Sequence, residues 1–110
     1  MDPRFFGSGT WIFLFVTIFS CLSVENVKKN LFQCMRNLPC YQCSMHSQKF
    51  LREKKFFNMT HRYEILITLI ELRNRFYDKI DTSKIKSDED VFIYEDAILK
   101  AVILKQGLTL

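Results

Sequence analysis

The chain has 110 residues, 48% hydrophobic and 25% charged, with a formal net charge of +4. That length supports one domain with a single modest core, and only 3 Gly and 2 Pro argue against a turn-rich β fold. The four cysteines do not define a small stapled scaffold, because the apolar content builds a core unaided. The mild basicity, with no recognised binding motif, argues against a nucleic-acid partner.

Trp11 to Val24 carries no charge. The run is shorter than the roughly 20 residues that cross a bilayer. It reads as a buried first helix. The alternative is the apolar region of a signal peptide or anchor, which leaves membrane association open and gives the sequon Asn58-Met59-Thr60 a use. A second helix follows, with Val24, Val27, Leu31, Cys34 or Met35, and Leu38 at helical spacing. Lys28, Lys29, Gln33 and Arg36 take its other face. Pro39 ends that helix and opens the third, since proline suits a first helical turn. The third helix carries Cys40, Cys43, His46, Phe50 and Leu51 on or near one face, with basic residues in its last turn.

Beyond Asn58-Met59-Thr60 a long fourth helix is expected. Ile65, Leu69, Leu72, Phe76 and Ile80 form its inner stripe, and Thr60 caps it. Asp81 to Asp90 reads as a polar linker. A last helix runs from Val91 to about Gln106, with Gly107 as its stop. No alternating strand pattern competes. The expected fold is all-α: a four-helix bundle in residues 1–86 and an additional C-terminal helix in residues 87–110, packed on the same domain.

The chemistry gathers in Leu38-Pro39-Cys40-Tyr41-Gln42-Cys43-Ser44-Met45-His46. On a first helical turn, free backbone N–H groups and the helix dipole favour a thiolate. A C-x-x-C there is a redox dithiol or half a metal site. Cys34, Cys40, Cys43 and His46 are an acceptable zinc set. A second, distant ligand half is missing, so no metal is expected, and a zinc-stapled interaction module stays as the alternative. A thioredoxin-like frame would need a strand before the motif. What remains is a dithiol that exchanges with substrate thiols through a mixed disulfide, beside a cofactor able to pass electrons on. A flat flavin suits a slot between helices lined with Trp and Phe, and the chain has 11 Phe. Cys21 and Cys34, inside predicted helices, read as buried thiols. The basic residues Lys49, Arg52, Lys54 and Lys55, and Lys84 and Lys86, read as a solvated face; a phosphate-bearing ligand or an acidic partner is the sharper reading.

Gly7-x-x-x-Trp11 at the head of the apolar helix, followed by Cys40-x-x-Cys43-x-x-His46, resembles the Erv/ALR flavin-linked sulfhydryl oxidases. The short poxviral members are most similar. They share Phe15 four residues after the Trp, Leu38-Pro39-Cys40, and a stretch like Ile80-Asp81-Thr82-Ser83-Lys84-Ile85-Lys86. The resemblance spans roughly residues 5–86. It implies a helical bundle that binds FAD, often as a homodimer. Such a protein oxidises dithiols to disulfides and hands the electrons to oxygen, making hydrogen peroxide. It implies that Cys43 lies against the flavin ring and that Cys40 exchanges with the substrate. Gly7, Trp11, Phe15 and His46 would then belong to the flavin site. The family's His-Asn-x-Val-Asn segment falls on Arg73-Asn74-Arg75-Phe76-Tyr77, where only Asn74 matches, so the adenine end is built differently. Lys84 and Lys86 are assigned to the phosphates. Without a shuttle cysteine pair, a separate C-x-x-C protein is the expected electron donor. The place of work implied is the cytoplasm of an infected host cell, virion or membrane associated, where resident machinery keeps thiols reduced.

Overall fold

The apolar run folds as α1 (Gly7–Phe19) in the computed structural model, which describes residues 7–110 and their side chains from Gly9 onward. Trp11, Leu14, Phe15 and Ile18 recur three and four apart and form its buried stripe, while Phe13 and Val16 stay exposed. The end of α1 is held by Arg62, whose guanidinium donates to the carbonyls of Ile18 and Leu22. Ile18 is among the last carbonyls of the helix, which have no intrahelical donor. No helix among the described residues is long and apolar enough to cross a membrane.

Ser23 caps α2 (Val24–Arg36), its hydroxyl accepting the Asn26 N–H at 3.2 Å. Val27, Leu31 and Met35 are buried as their spacing requires. Lys28, expected on the solvent face, is buried as well. Its ammonium donates to the carbonyls of Phe57 (3.0 Å) and Met59 (2.9 Å) and pairs with Glu25 at 2.8 Å. Those bonds hold a 3-10 turn, Phe56–Asn58, that seats Phe56 in the core. α3 (Tyr41–Glu53) starts directly after Cys40.

Helix α4 (Arg62–Arg73) departs from expectation at both ends. It is closed at the start by Glu64, which accepts the His61 N–H at 3.2 Å, rather than by Thr60. It stops at Arg73, short of Phe76 and Ile80. The next residue, Asn74, turns its amide onto Ile80, accepting that residue's N–H at 2.9 Å and donating to its carbonyl at 3.0 Å. Ile80 is still fully buried, delivered by a loop.

The last helix is two helices, α5 (Asp88–Ile93) and α6 (Glu95–Leu104), separated at Tyr94. Ser87 and Asp90 cap α5 reciprocally, which starts it earlier than Val91. Lys105, with φ of 55°, takes the left-handed position that ends α6. Gly107 is therefore not the stop. It lets the tail approach the loop after α4, since a Cβ there would sit 2.8 Å from the Lys79 carbonyl. Beside it, Leu108 donates to Lys79 at 3.1 Å and accepts from Asp81 at 2.9 Å.

The fold is all-α: six helices and a 3-10 turn, with one isolated bridge between Ile80 and Leu108, among the described residues. α1 packs more extensively on α6 than on any other element. Ile98, Ala101 and Val102 are the buried residues of α6.

Candidate active site

Proline at 39 and the cap at 40 place the two motif cysteines at the mouth of α3. Cys40 is the N-cap, and its sulfur accepts the Cys43 backbone N–H at 3.3 Å. Ser44 fixes this turn against the end of α2 by donating to the carbonyls of Met35 (2.7 Å) and Arg36 (3.2 Å). Both cysteines are buried, at 8% and 4% exposure. The Cys43 thiol, hydrogen-bonded to Cys40, holds the Cys40 thiol below its ordinary range; burial opposes this, and the Cys43 backbone N–H adds to it. A lowered pKa at a helix N-terminus marks a reactive thiol.

Cys43 lies on the wall of a cleft of about 510 Å³ between α3 and the end of α4. Cys40 is not among its lining residues. His46, Lys49, Phe50, Leu72, Arg75 and Phe76 complete most of the wall. The cleft shares Ser47, Leu72 and Phe76 with a narrow apolar seam that runs to Trp11 and Leu14 on α1. Trp11 stands edge-on to Tyr77, ring centroids 6.2 Å apart. Its indole N–H is the one buried side-chain polar atom without a hydrogen-bond partner among the described residues. Such a group costs roughly 1–3 kcal/mol, and here it lies beside an apolar slot.

Among the residues expected at the site, Cys43 and His46 meet in the cleft and Trp11 reaches it through the seam. Phe15 is fully buried on α1 and lines neither. Asn74 is occupied by Ile80. Lys84 and Lys86 are exposed in the segment before α5 and do not line the cleft. Gly7 begins α1, and its contacts lie outside the described residues. Cys34 is apart from the dithiol. It is half-buried beside Phe13 and Asn30, and burial pushes its thiol up. Cys21, expected to be buried, is exposed in the bend after α1, because the helix ends at Phe19. No three His, Cys, Asp or Glu side chains converge into a metal site among the described residues, so the four zinc candidates are not brought together.

Arg75 escaped sequence reasoning, and Lys49 was read only as part of a basic cluster, solvated or, more sharply, facing a phosphate-bearing ligand or an acidic partner. Arg75 lays its guanidinium over the Phe50 ring, 4.5 Å from the centroid. Lys49 sits on the same wall and forms a loose ion pair with Glu53 at 3.9 Å. The signal for Arg75 was its place in the altered segment after α4; the structure puts Lys49, alone of its cluster, on the cleft wall.

The conserved region of E10-like proteins matches residues 23–88. The chain belongs to this poxviral family of Erv/ALR-like thiol oxidases. It is 29% identical over 91 residues to a probable FAD-linked sulfhydryl oxidase of Fowlpox virus (strain NVSL), an alignment covering 78% of this chain and 97% of the relative. No solved structure matches it. The E10-like match takes in α2, α3 and α4, hence both motif cysteines and every lining residue of the cleft, and ends at the start of α5.

Proposed function

We propose that this E10-like chain is an FAD-linked thiol oxidase that takes electron pairs from a dithiol protein and delivers them to molecular oxygen, yielding hydrogen peroxide. The observation that carries the reading is the division between the two cysteines. Cys43 faces the cleft, while Cys40 caps α3 outside it with its thiol held toward the thiolate.

The cleft suits the cofactor. The seam supplies apolar walls, and the Trp11 indole N–H supplies a donor in want of an acceptor, which a flavin ring offers. Cys43 and His46 would lie toward the ring, and Lys49 and Arg75 toward the phosphates, where guanidinium and ammonium groups are strong partners. When bound, FAD supplies a two-electron acceptor that oxygen can regenerate.

The cysteines do the exchange. With the pair oxidised, a thiolate of the donor attacks Cys40. A donor–Cys40 disulfide forms, the Cys40–Cys43 bond breaks, and the electron pair leaves on Cys43. The donor's second thiolate then attacks its own sulfur in the mixed disulfide and releases Cys40 as a thiolate. The donor has lost two electrons and two protons. The hydrogen bonds from Cys43 make Cys40 a good leaving group in that second attack. The same reading has a homodimer working in the cytoplasm of an infected cell, where disulfides need a dedicated source.

The test is spectroscopic and kinetic. The purified protein should be yellow, with flavin absorption bleached by dithiothreitol under anaerobic conditions. Cys43→Ser should keep the flavin and abolish peroxide production. A colourless protein, or a Cys43→Ser variant with full turnover, would sink the reading.

A further inference from the structure

The dithiol lies in the longest stretch of the chain without a carboxylate. From Asn26 to Arg52 there is no Asp or Glu, while Lys28, Lys29, Arg36, Lys49 and Arg52 are all basic. Lys28 is taken up by Glu25 and the 3-10 turn; Arg36, Lys49 and Arg52 are exposed, with Lys49 3.9 Å from Glu53 on the same cleft wall. Arg36 ends α2, whose last carbonyls are bonded to the first turn of α3 by Ser44, so it stands beside the dithiol. Lys49 stands on the other side, in the cleft with Cys43.

Within this positive surround sits an unusual apolar pair. Tyr41, between the two cysteines, is 78% exposed, and Met45, one turn later on the same face of α3, is 42% exposed. Neither is needed by the core. An aromatic ring and a methionine left in solvent beside a reactive thiol are the kind of side chains that anchor a partner.

We propose that Tyr41 and Met45 form the docking spot for the electron donor, and that the donor presents its dithiol from an acidic surface with an apolar residue beside its cysteines. This rests on the oxidase reading and names its partner's chemistry. A donor thiol that attacks Cys40 must come to bonding distance of that sulfur, so whatever it belongs to covers the neighbouring Tyr41. Arg36 then meets a carboxylate at the rim, where opposite charge raises the rate of encounter. Small thiols need neither contact.

The experiment uses the full-length flavin-loaded protein and three reduced donors. They are a C-x-x-C peptide flanked by Leu and Asp/Glu, the same peptide flanked by Leu and Lys, and dithiothreitol. At low salt, kcat/KM for the acidic peptide should exceed that for the basic one by about tenfold, and the gap should close near 0.5 M salt, where the screening length falls to a few ångströms. Tyr41→Ala, Met45→Ala and Arg36→Glu should each lower kcat/KM for the acidic peptide several-fold, with dithiothreitol turnover and flavin content unchanged. Equal handling of the two peptides, or wild-type kcat/KM in Tyr41→Ala and Met45→Ala, overturns this proposal alone. A wild-type protein that oxidises neither the peptides nor dithiothreitol overturns the oxidase reading and this proposal with it.

Discussion

Cys40 and Cys34 are both cysteines on or at helices, yet their surroundings drive them in opposite directions. Hydrogen bonds from Cys43 lower the Cys40 pKa, and burial without a partner charge raises that of Cys34. Because the thiolate is the nucleophile, iodoacetamide should modify Cys40 with a pH midpoint below the ordinary thiol value of about 8.5, and Cys34 with one above it. Rates read peptide by peptide across pH 6–10 check this. Cys43→Ala should move the Cys40 midpoint upward, since the thiol donor is lost while the backbone N–H remains. Coincident midpoints for Cys40 and Cys34 would refute the assignment. This pair was half legible in the sequence. Pro39 and the two-residue spacing announce the Cys40–Cys43 turn, because helix entry is a local matter. The exposure of Cys21 was not legible, because it depends on where α1 ends, and that end is fixed by Arg62 from far along the chain. Arg75 was equally hidden: a charge reads as solvated until a ring such as Phe50 is found beneath it.

Helix ends were the least readable elements, for the same physical reason. The apolar period of α4 runs on through Phe76 and Ile80, and both residues do turn inward or partly so. What breaks the helix is polar. Arg73, at 1% exposure, donates to the carbonyls of Asp78 (3.0 Å), Gln106 (3.0 Å) and Ala101 (3.4 Å), and its guanidinium lies 5.0 Å from the Tyr77 ring centroid. Burial lowers its pKa, but an arginine stays charged in proteins. One side chain thus fastens the end of α4, the loop after it and the tail beyond α6. Arg73→Met preserves much of the stem's packing but leaves the Asp78 and Gln106 carbonyls without this donor. The expected loss is about 2–4 kcal/mol, from unpaired buried acceptors and lost ring contact. Urea unfolding measures it, and a midpoint unchanged from wild type would show that the network is ornamental. Arg75→Met, two residues on and exposed, loses only its contact with the Phe50 ring and should cost no more than about 1 kcal/mol.

At the scale of the whole molecule, the family match and the packing divide the chain differently. The E10-like region covers residues 23–88, yet α1 before it and α6 after it are each other's main neighbours. α1 carries Trp11 to the seam, so the wall of the proposed cofactor slot depends on a helix that is itself covered by the C-terminal segment. Removing residues 95–110 would uncover the face of α1 opposite α6 and delete the buried side chains of Ile98, Ala101 and Val102. At roughly 1.5–3 kcal/mol for each large aliphatic side chain, that burial is worth on the order of 5 kcal/mol. The cut also deprives Arg73 of the Gln106 and Ala101 carbonyls and Ile80 of its bridge to Leu108. A domain of this size holds about 5–15 kcal/mol in total. A chain ending at Tyr94 should therefore lose its cooperative thermal transition and its flavin together, although every residue of the dithiol motif is retained. Circular dichroism on heating reads the first and flavin absorbance after gel filtration the second. A truncated chain that unfolds sharply near the full-length Tm and stays yellow would show that α6 is an accessory; loss of both would make it the lid that holds α1, and with it Trp11, in place.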